Sequence, residues 1–247
     1  MVVLAHGVSE HGGRYAWVGE QLADRGFALY AGDHRGHGRS EGPRALVDRM
    51  DNVVADLNLV VDLAVARQGG REPFLLGHSM GGAIALAYAL EHQDRLRGLI
   101  LSAPLAVVEA ASRVTRLAGK VLSAVAPKLG VYEIDSTAVS RDPAVVRDYD
   151  ADPLNYHGKL PARTVAELSG AIGTFPDRLA GLTLPLLTMH GTDDPLVPPD
   201  ASELVIERAG SRDKSIIRYD GLYHELLNEP ERQRVLDDIL AWIEARL

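Results

Sequence analysis

Short apolar runs alternate with stretches of helical period along most of this 247-residue chain. Such runs suit buried parallel strands, and each return to a parallel neighbour needs a crossover, usually a helix. Val2 to Ala5, Phe27 to Ala31, Phe74 to Leu76 and Gly98 to Leu101 have strand character. Helical period fills Tyr15 to Asp24, Asp51 to Arg67 and Ala83 to Glu91. In the second of these, Val53, Val54, Leu57, Val60, Val61 and Ala64 share a face. Between Pro104 and Leu182 no strand is evident and helical spacing dominates. Strands resume at Pro185 to Met189 and Ser215 to Tyr219, with helices at Pro199 to Arg208 and Pro230 to Arg246. The pattern predicts an α/β fold: a mostly parallel sheet, helices on both faces, and a helical insertion after the fourth strand. Residues 1–103 and 183–247 would form the core, and 104–182 a cap over the carboxyl ends of the strands, where ligands bind.

Composition narrows the function classes. Asp and Glu outnumber Lys and Arg by 34 to 26, a formal net charge of -8, which disfavours nucleic acid. There are no cysteines, so disulfides, thiolate metal sites and a Cys nucleophile are excluded. The start, Met-Val-Val-Leu-Ala-His-Gly, has no basic leader character, and no apolar run approaches the ~18 residues that span a bilayer. The expected location is cytoplasmic, with peripheral membrane contact left open.

The chemistry centres on Gly77-His78-Ser79-Met80-Gly81, a G-x-S-x-G nucleophile elbow between a strand and a small-residue helix. A sharp turn there puts the Ser hydroxyl at the top of the sheet, and the helix N-terminus behind it offers free N–H groups. A Ser nucleophile needs a base and an acid that orients it, and with this elbow they follow in the order acid, then His. Asp194 lies in the loop after the Leu186-Leu187-Thr188-Met189 strand, four residues past His190; Asp193 is the competing choice. His224 follows the last strand, and no other His follows Asp194. The oxyanion donors would be the N–H of Met80, next after Ser79, and that of Val8 in the loop after the first strand. No cofactor or metal is called for: His34 and His37 stand three apart without a supporting carboxylate pattern and read as turn residues.

His6-Gly7-Val8-Ser9-Glu10-His11-Gly12-Gly13-Arg14-Tyr15, Asp33-His34-Arg35-Gly36-His37-Gly38-Arg39-Ser40 and Gly77-His78-Ser79-Met80-Gly81-Gly82 resemble monoacylglycerol lipases of the α/β-hydrolase fold. So do Ile134 to Arg141 and Tyr149 to Leu154 within the insertion. The resemblance covers nearly the whole chain. It implies catalytic Ser79, Asp194 and His224 with Val8 and Met80 as oxyanion donors. It also implies that Glu10, Arg14 and His78 lie near a glycerol-holding end; a structural ion pair of Glu10 and Arg14 is the other reading. The family has two strands before the His-Gly strand. Their absence here would leave the Phe27 to Ala31 strand at an edge, where an apolar strand invites association.

The expected activity is cleavage of a monoacylglycerol to glycerol and a fatty acid. The rivals are a general carboxylesterase or lysophospholipase with the same triad and, from another class, a non-catalytic binding module on this fold. Val107, Val114, Leu117, Ala118, Val121, Leu122 and Val125 form an apolar stripe on the first cap helix. It would pack on the core or line an acyl tunnel that meets a membrane or micelle, with Arg113, Arg116 and Lys120 suited to a lipid surface. Oligomeric state is not legible in the sequence.

Overall fold

The computed structural model describes residues 1–107 and 113–247, with side chains from 118 onward in the second stretch. In chain order the elements are β1 (Val2–Ala5), α1 (Ala16–Asp24), β2 (Leu29–Ala31), α2 (Met50–Arg67), β3 (Phe74–His78), α3 (Met80–His92) and β4 (Gly98–Ser102). The insertion supplies α4 (Arg113–Val125), β5 (Gly130–Tyr132), α5 (Pro143–Ala151), β6 (Leu160–Pro161), α6 (Ala162–Ile172) and α7 (Phe175–Arg178). The chain then completes the sheet with β7 (Leu186–Gly191), α8 (Asp200–Arg208), β8 (Lys214–Tyr219) and α9 (Arg232–Glu244).

Six strands form one sheet in the order β2-β1-β3-β4-β7-β8, every neighbouring pair parallel. Alternate side chains enter two separate cores. Val3, Ala5, Leu75, Leu99, Leu101 and Leu186 pack with α2, α3 and α8, whereas Val2, Leu4, Phe74, Leu76, Ile100 and Leu187 pack with α1 and α9. This two-sided burial explains why the strands read as continuous apolar runs rather than alternating ones. β2 is an edge strand, as expected, with Leu29 and Tyr30 half-buried and Ala31 exposed.

Three sequence expectations are corrected. β2 begins at Leu29 rather than Phe27, because the Phe27 N–H donates to Leu22 O and closes the end of α1, after Gly26 at φ 79°. α3 begins at Met80 rather than Ala83: the Gly82 and Ala83 N–H groups already donate to Ser79 O, so the glycines belong to the first helical turn. The insertion is not free of strands, since β5 and β6 pair antiparallel. Strands of two and three residues carrying Gly and Pro give no periodic signal. On α4, Val121 and Val125 are exposed and Leu122 half-buried, so part of the stripe faces outward. The side chains of Arg113, Val114, Arg116 and Leu117 lie outside the described residues. No helix among the described residues is long and apolar enough to cross a membrane.

His6, His34 and His37 are buried and pack ring against ring, with His6 and His34 centroids 4.2 Å apart. Burial lowers His34 to about 3 and His37 to about 4, and carries His6 well below its ordinary value. All three are therefore neutral in the fold while their unfolded counterparts protonate near pH 6.5. The unfolded chain binds more protons below that point, so stability present above pH 6.5 is lost as pH falls, by about 1.4 kcal/mol per unit for each histidine. Thermal unfolding between pH 7.5 and 5 should show the midpoint falling below pH 6.5, and a His37→Gln variant should fall less steeply. Parallel curves would remove His37 from this account.

Candidate active site

β3 ends in the middle of the sheet and turns at once into α3, which leaves Ser79 at φ 53° and ψ -120°. A non-glycine residue in that region is strained, and here the surroundings hold it. The Ser79 N–H donates to Ser102 O at 3.1 Å, and Ser79 O accepts from the N–H groups of Gly82, Ala83 and Leu105. The glycines are required by close approach. A Cβ at Gly81 would lie 2.0 Å from Ala5 O, and one at Gly77 would lie 2.6 Å from Gly81 O. Met80 occupies the first position of α3, where an N–H has no intrahelical acceptor. Val8 lies in the loop after β1 and, with Gly7 and Ser79, lines the same cavity.

The β7–β8 side of the sheet brings Asp194 and His224 together. Asp194 follows β7, His224 follows β8, and His224 Nδ1 lies 2.7 Å from Asp194 Oδ2. Asp194 Oδ1 accepts from the Leu196 and Val197 N–H groups at 2.8 and 3.0 Å. His190 Nε2 also reaches Asp194 Oδ2, at 3.1 Å, and Val197 O at 2.9 Å, while His190 Nδ1 faces Ser202 Oγ at 2.8 Å. A carbonyl can only accept, so the His190 proton sits on Nε2 and Ser202 donates to Nδ1. Burial opposes ionisation of Asp194, but His224, His190 and the Val197 N–H outweigh it and hold the carboxyl below the usual range. Asp193 is exposed, and among the described residues its carboxylate takes one side-chain hydrogen bond, from Thr192 Oγ1. Ser79 and His224 share the cavity, and among the described residues no hydrogen bond yet joins Ser79 Oγ to the imidazole. Such contacts are often loose before substrate arrives.

The cavity, of about 630 Å³, runs from this cluster into the insertion. One end is polar: Glu10, His78 and Glu225. The remainder is largely apolar, with Leu105, Val107, Ile134, Leu160, Leu168 and Ile172 in its walls. His78 Nδ1 lies 3.1 Å from Ser102 O and must donate there. Burial, then the neighbouring His224, lower His78 to about 3, so the ring is neutral and its Nε2 is a bare acceptor. Glu10 accepts from the Gly7 N–H and from Tyr15 Oη at 2.9 Å. Arg14 sits behind the wall rather than in it, donating to Glu10 at 2.9 Å and to both oxygens of Glu225 at 2.6 and 2.7 Å.

Ser79, Asp194, His224, Val8, Glu10 and His78 are thus gathered at one place, with Met80 directly behind Ser79. Sequence reading missed Glu225 and His190 as partners. His190 stood in the H-G-x-x-D string that pointed to Asp194, and Glu225 directly follows His224, so adjacency was the available signal.

Comparison with known proteins comes to the same kind of molecule. Residues 1–231 match a family model described as serine aminopeptidase, S33. A monoacylglycerol lipase of Mycolicibacterium smegmatis is 43% identical over 248 residues, covering 100% of this chain and 89% of the relative. A monoglyceride lipase of Homo sapiens is 36% identical over 250 residues, covering 100% of this chain and 82% of the relative. The crystal structure of Paleococcus ferrophilus monoacylglycerol lipase superposes with a TM-score of 0.89 at 28% identity, covering 100% of this chain and 94% of that one. The likeness establishes the α/β-hydrolase fold.

The geometry separates the two aspartates sharply. Asp194→Asn should lower ester hydrolysis by about 10⁴-fold, the scale seen when a triad acid loses its charge, and Asp193→Asn by less than about 3-fold. Turnover of an activated ester by the two variants decides it, and equal losses would defeat the choice of Asp194.

Proposed function

The chain belongs to the family described as serine aminopeptidase, S33, and on that premise we propose that it hydrolyses a monoacylglycerol to glycerol and a free fatty acid. The observation that carries this reading is the cavity: a long apolar wall, a short acceptor-rich polar end at Glu10, His78 and Glu225, and Ser79 with His224 beside it. His224 Nε2 takes the Ser79 proton as Oγ attacks the acyl carbonyl. Asp194 fixes the tautomer through Nδ1–H and balances the imidazolium charge. The N–H groups of Val8 and Met80 receive the oxyanion, each donor being worth roughly 10²–10³ in rate. His224 then gives its proton to the leaving glycerol oxygen. Water, deprotonated in turn by His224, attacks the acyl-enzyme and frees Ser79.

The polar end suits a neutral polyol. The bare Nε2 of His78 accepts from a glycerol hydroxyl, beside the Arg14-paired carboxylates of Glu10 and Glu225. Among the described residues no Lys or Arg lines the cavity, so the phosphate of a lysophospholipid would meet carboxylates and no cation. At the polar end both glutamates are committed to Arg14, so neither carboxylate there is free for an α-amino group. Residues 104–182 act as the cap in this reading. Its outer side, where Val121, Val125, Leu129 and Val131 are exposed near the cavity-lining Tyr132 and Ile134, would touch the membrane or micelle that delivers the lipid.

Fatty-acid release from a monoacylglycerol, measured beside a lysophospholipid, a diacylglycerol and a short p-nitrophenyl ester, tests the substrate. The monoacylglycerol should be fastest, and Ser79→Ala should lower its turnover by about 10⁴–10⁶-fold. Turnover of the short ester alone would reduce the protein to a general esterase. For the surface contact, a Val125→Asp/Leu129→Asp variant should lose flotation with liposomes while keeping its rate on the short soluble ester. Undiminished flotation would remove the cap from membrane contact.

A further inference from the structure

A site that stabilises an oxyanion with backbone donors works only if those donors stand at a fixed distance from the base. Here the two come from opposite parts of the chain: Gly7 and Val8 follow β1, while His224 follows β8. Neither loop is held to the other by sheet pairing, since β1 and β8 are not neighbours.

One buried connection spans the gap. Arg14 uses both terminal nitrogens on Glu225, at 2.6 and 2.7 Å, a bidentate pair with fixed geometry. The same guanidinium reaches Glu10 at 2.9 Å, and Glu10 accepts the N–H of Gly7, next to Val8. Glu225 is the residue after His224. Its Oε2 also accepts from Asn228 Nδ2 at 2.9 Å, and its backbone N–H donates to Val139 O at 2.8 Å. Arg14 further lies over the Tyr149 ring, 4.8 Å from its centroid. We propose that Glu225 is a positioning residue which, through Arg14 and Glu10, holds the Gly7–Val8 donors at their working distance from His224.

The inference rests on the catalytic roles proposed above for Val8 and His224. The charges fit it. Burial, opposed by Arg14 and reinforced by Glu225, pushes the Glu10 carboxyl up, whereas Arg14 holds Glu225 down against burial. One guanidinium serves two carboxylates. Replacing Glu225 by the isosteric amide therefore leaves a balanced Arg14–Glu10 pair rather than a lone buried charge, and the variant should fold.

The test compares wild type with Glu225→Gln, Arg14→Lys and the double variant on a monoacylglycerol, each normalised to the fraction of Ser79 labelled by a fluorophosphonate. Normalisation removes losses due to unfolded protein, which a merely structural role would cause. Each single variant should lower kcat per labelled site by about 10–100-fold while KM stays within about 3-fold. The double variant should be no worse than the poorer single one, because the residues act as a unit. Unchanged kcat, a raised KM at constant kcat, or additive losses would overturn the proposal while leaving the ester-hydrolase reading intact. A raised KM would instead make Glu225 a substrate contact. Full activity of a parallel Ser79→Ala control would overturn both. If Glu225→Gln fails to fold, Asn228→Ala, at a half-buried position, removes the amide that orients Glu225 and should lower kcat by about 3–10-fold; no change would again count against the bridge.

Discussion

The backbone at Ser79 is the constraint on which the rest of the molecule turns. Its left-handed φ stores strain on the order of 1–3 kcal/mol. What holds it is the centre of the sheet: β3 lies between β1 and β4, and the carbonyl and N–H of Ser79 are both engaged by the β4 end and the first turn of α3. The closeness of that packing excludes any side chain at Gly77 or Gly81. A parallel sheet with α3 pressed against its middle is the frame that places Ser79 in the wall of the cavity.

Around that frame, charge is buried in hydrogen-bonded groups. Asp194 lies between two imidazoles and two backbone N–H groups; Arg14 lies between two carboxylates. Each arrangement satisfies the lone pairs that burial would otherwise leave without partners, which is the condition for keeping ionised groups inside a protein. The two groups meet at the Glu225 position, one residue from His224. The electrostatics of the Asp194–His224 pair and those of the loop after β1 are thus contiguous.

Much of this was legible in the chain. Continuous apolar runs announced a sheet buried on both faces, and the Gly-x-Ser-x-Gly string marked the strand-to-helix turn because few other sequences can make it. Chain order then placed Asp194 and His224. The start of α3 was misread because Gly81 and Gly82 carry the local signature of a turn, while their role is clearance against Ala5 O and Pro104. β5 and β6 escaped notice because two or three residues have no period. The partnership of Arg14 with Glu225 joins positions 211 residues apart. No spacing rule reaches that far, and only the closure of the fold brings them into contact.

The insertion is not uniform. Leu168 and Ile172 of α6, with Phe175 after it, belong to the main core, and Thr164 bonds to the backbone of Ala45 and Val47. By contrast Val121 and Val125 in α4, Leu129 just before β5 and Val131 within it stand largely in the open. The first half is therefore upholstery and the second half is joinery. Changes to the outer segment can reshape that side of the cavity without disturbing the sheet, whereas an exchange that included α6 would remove part of the keel.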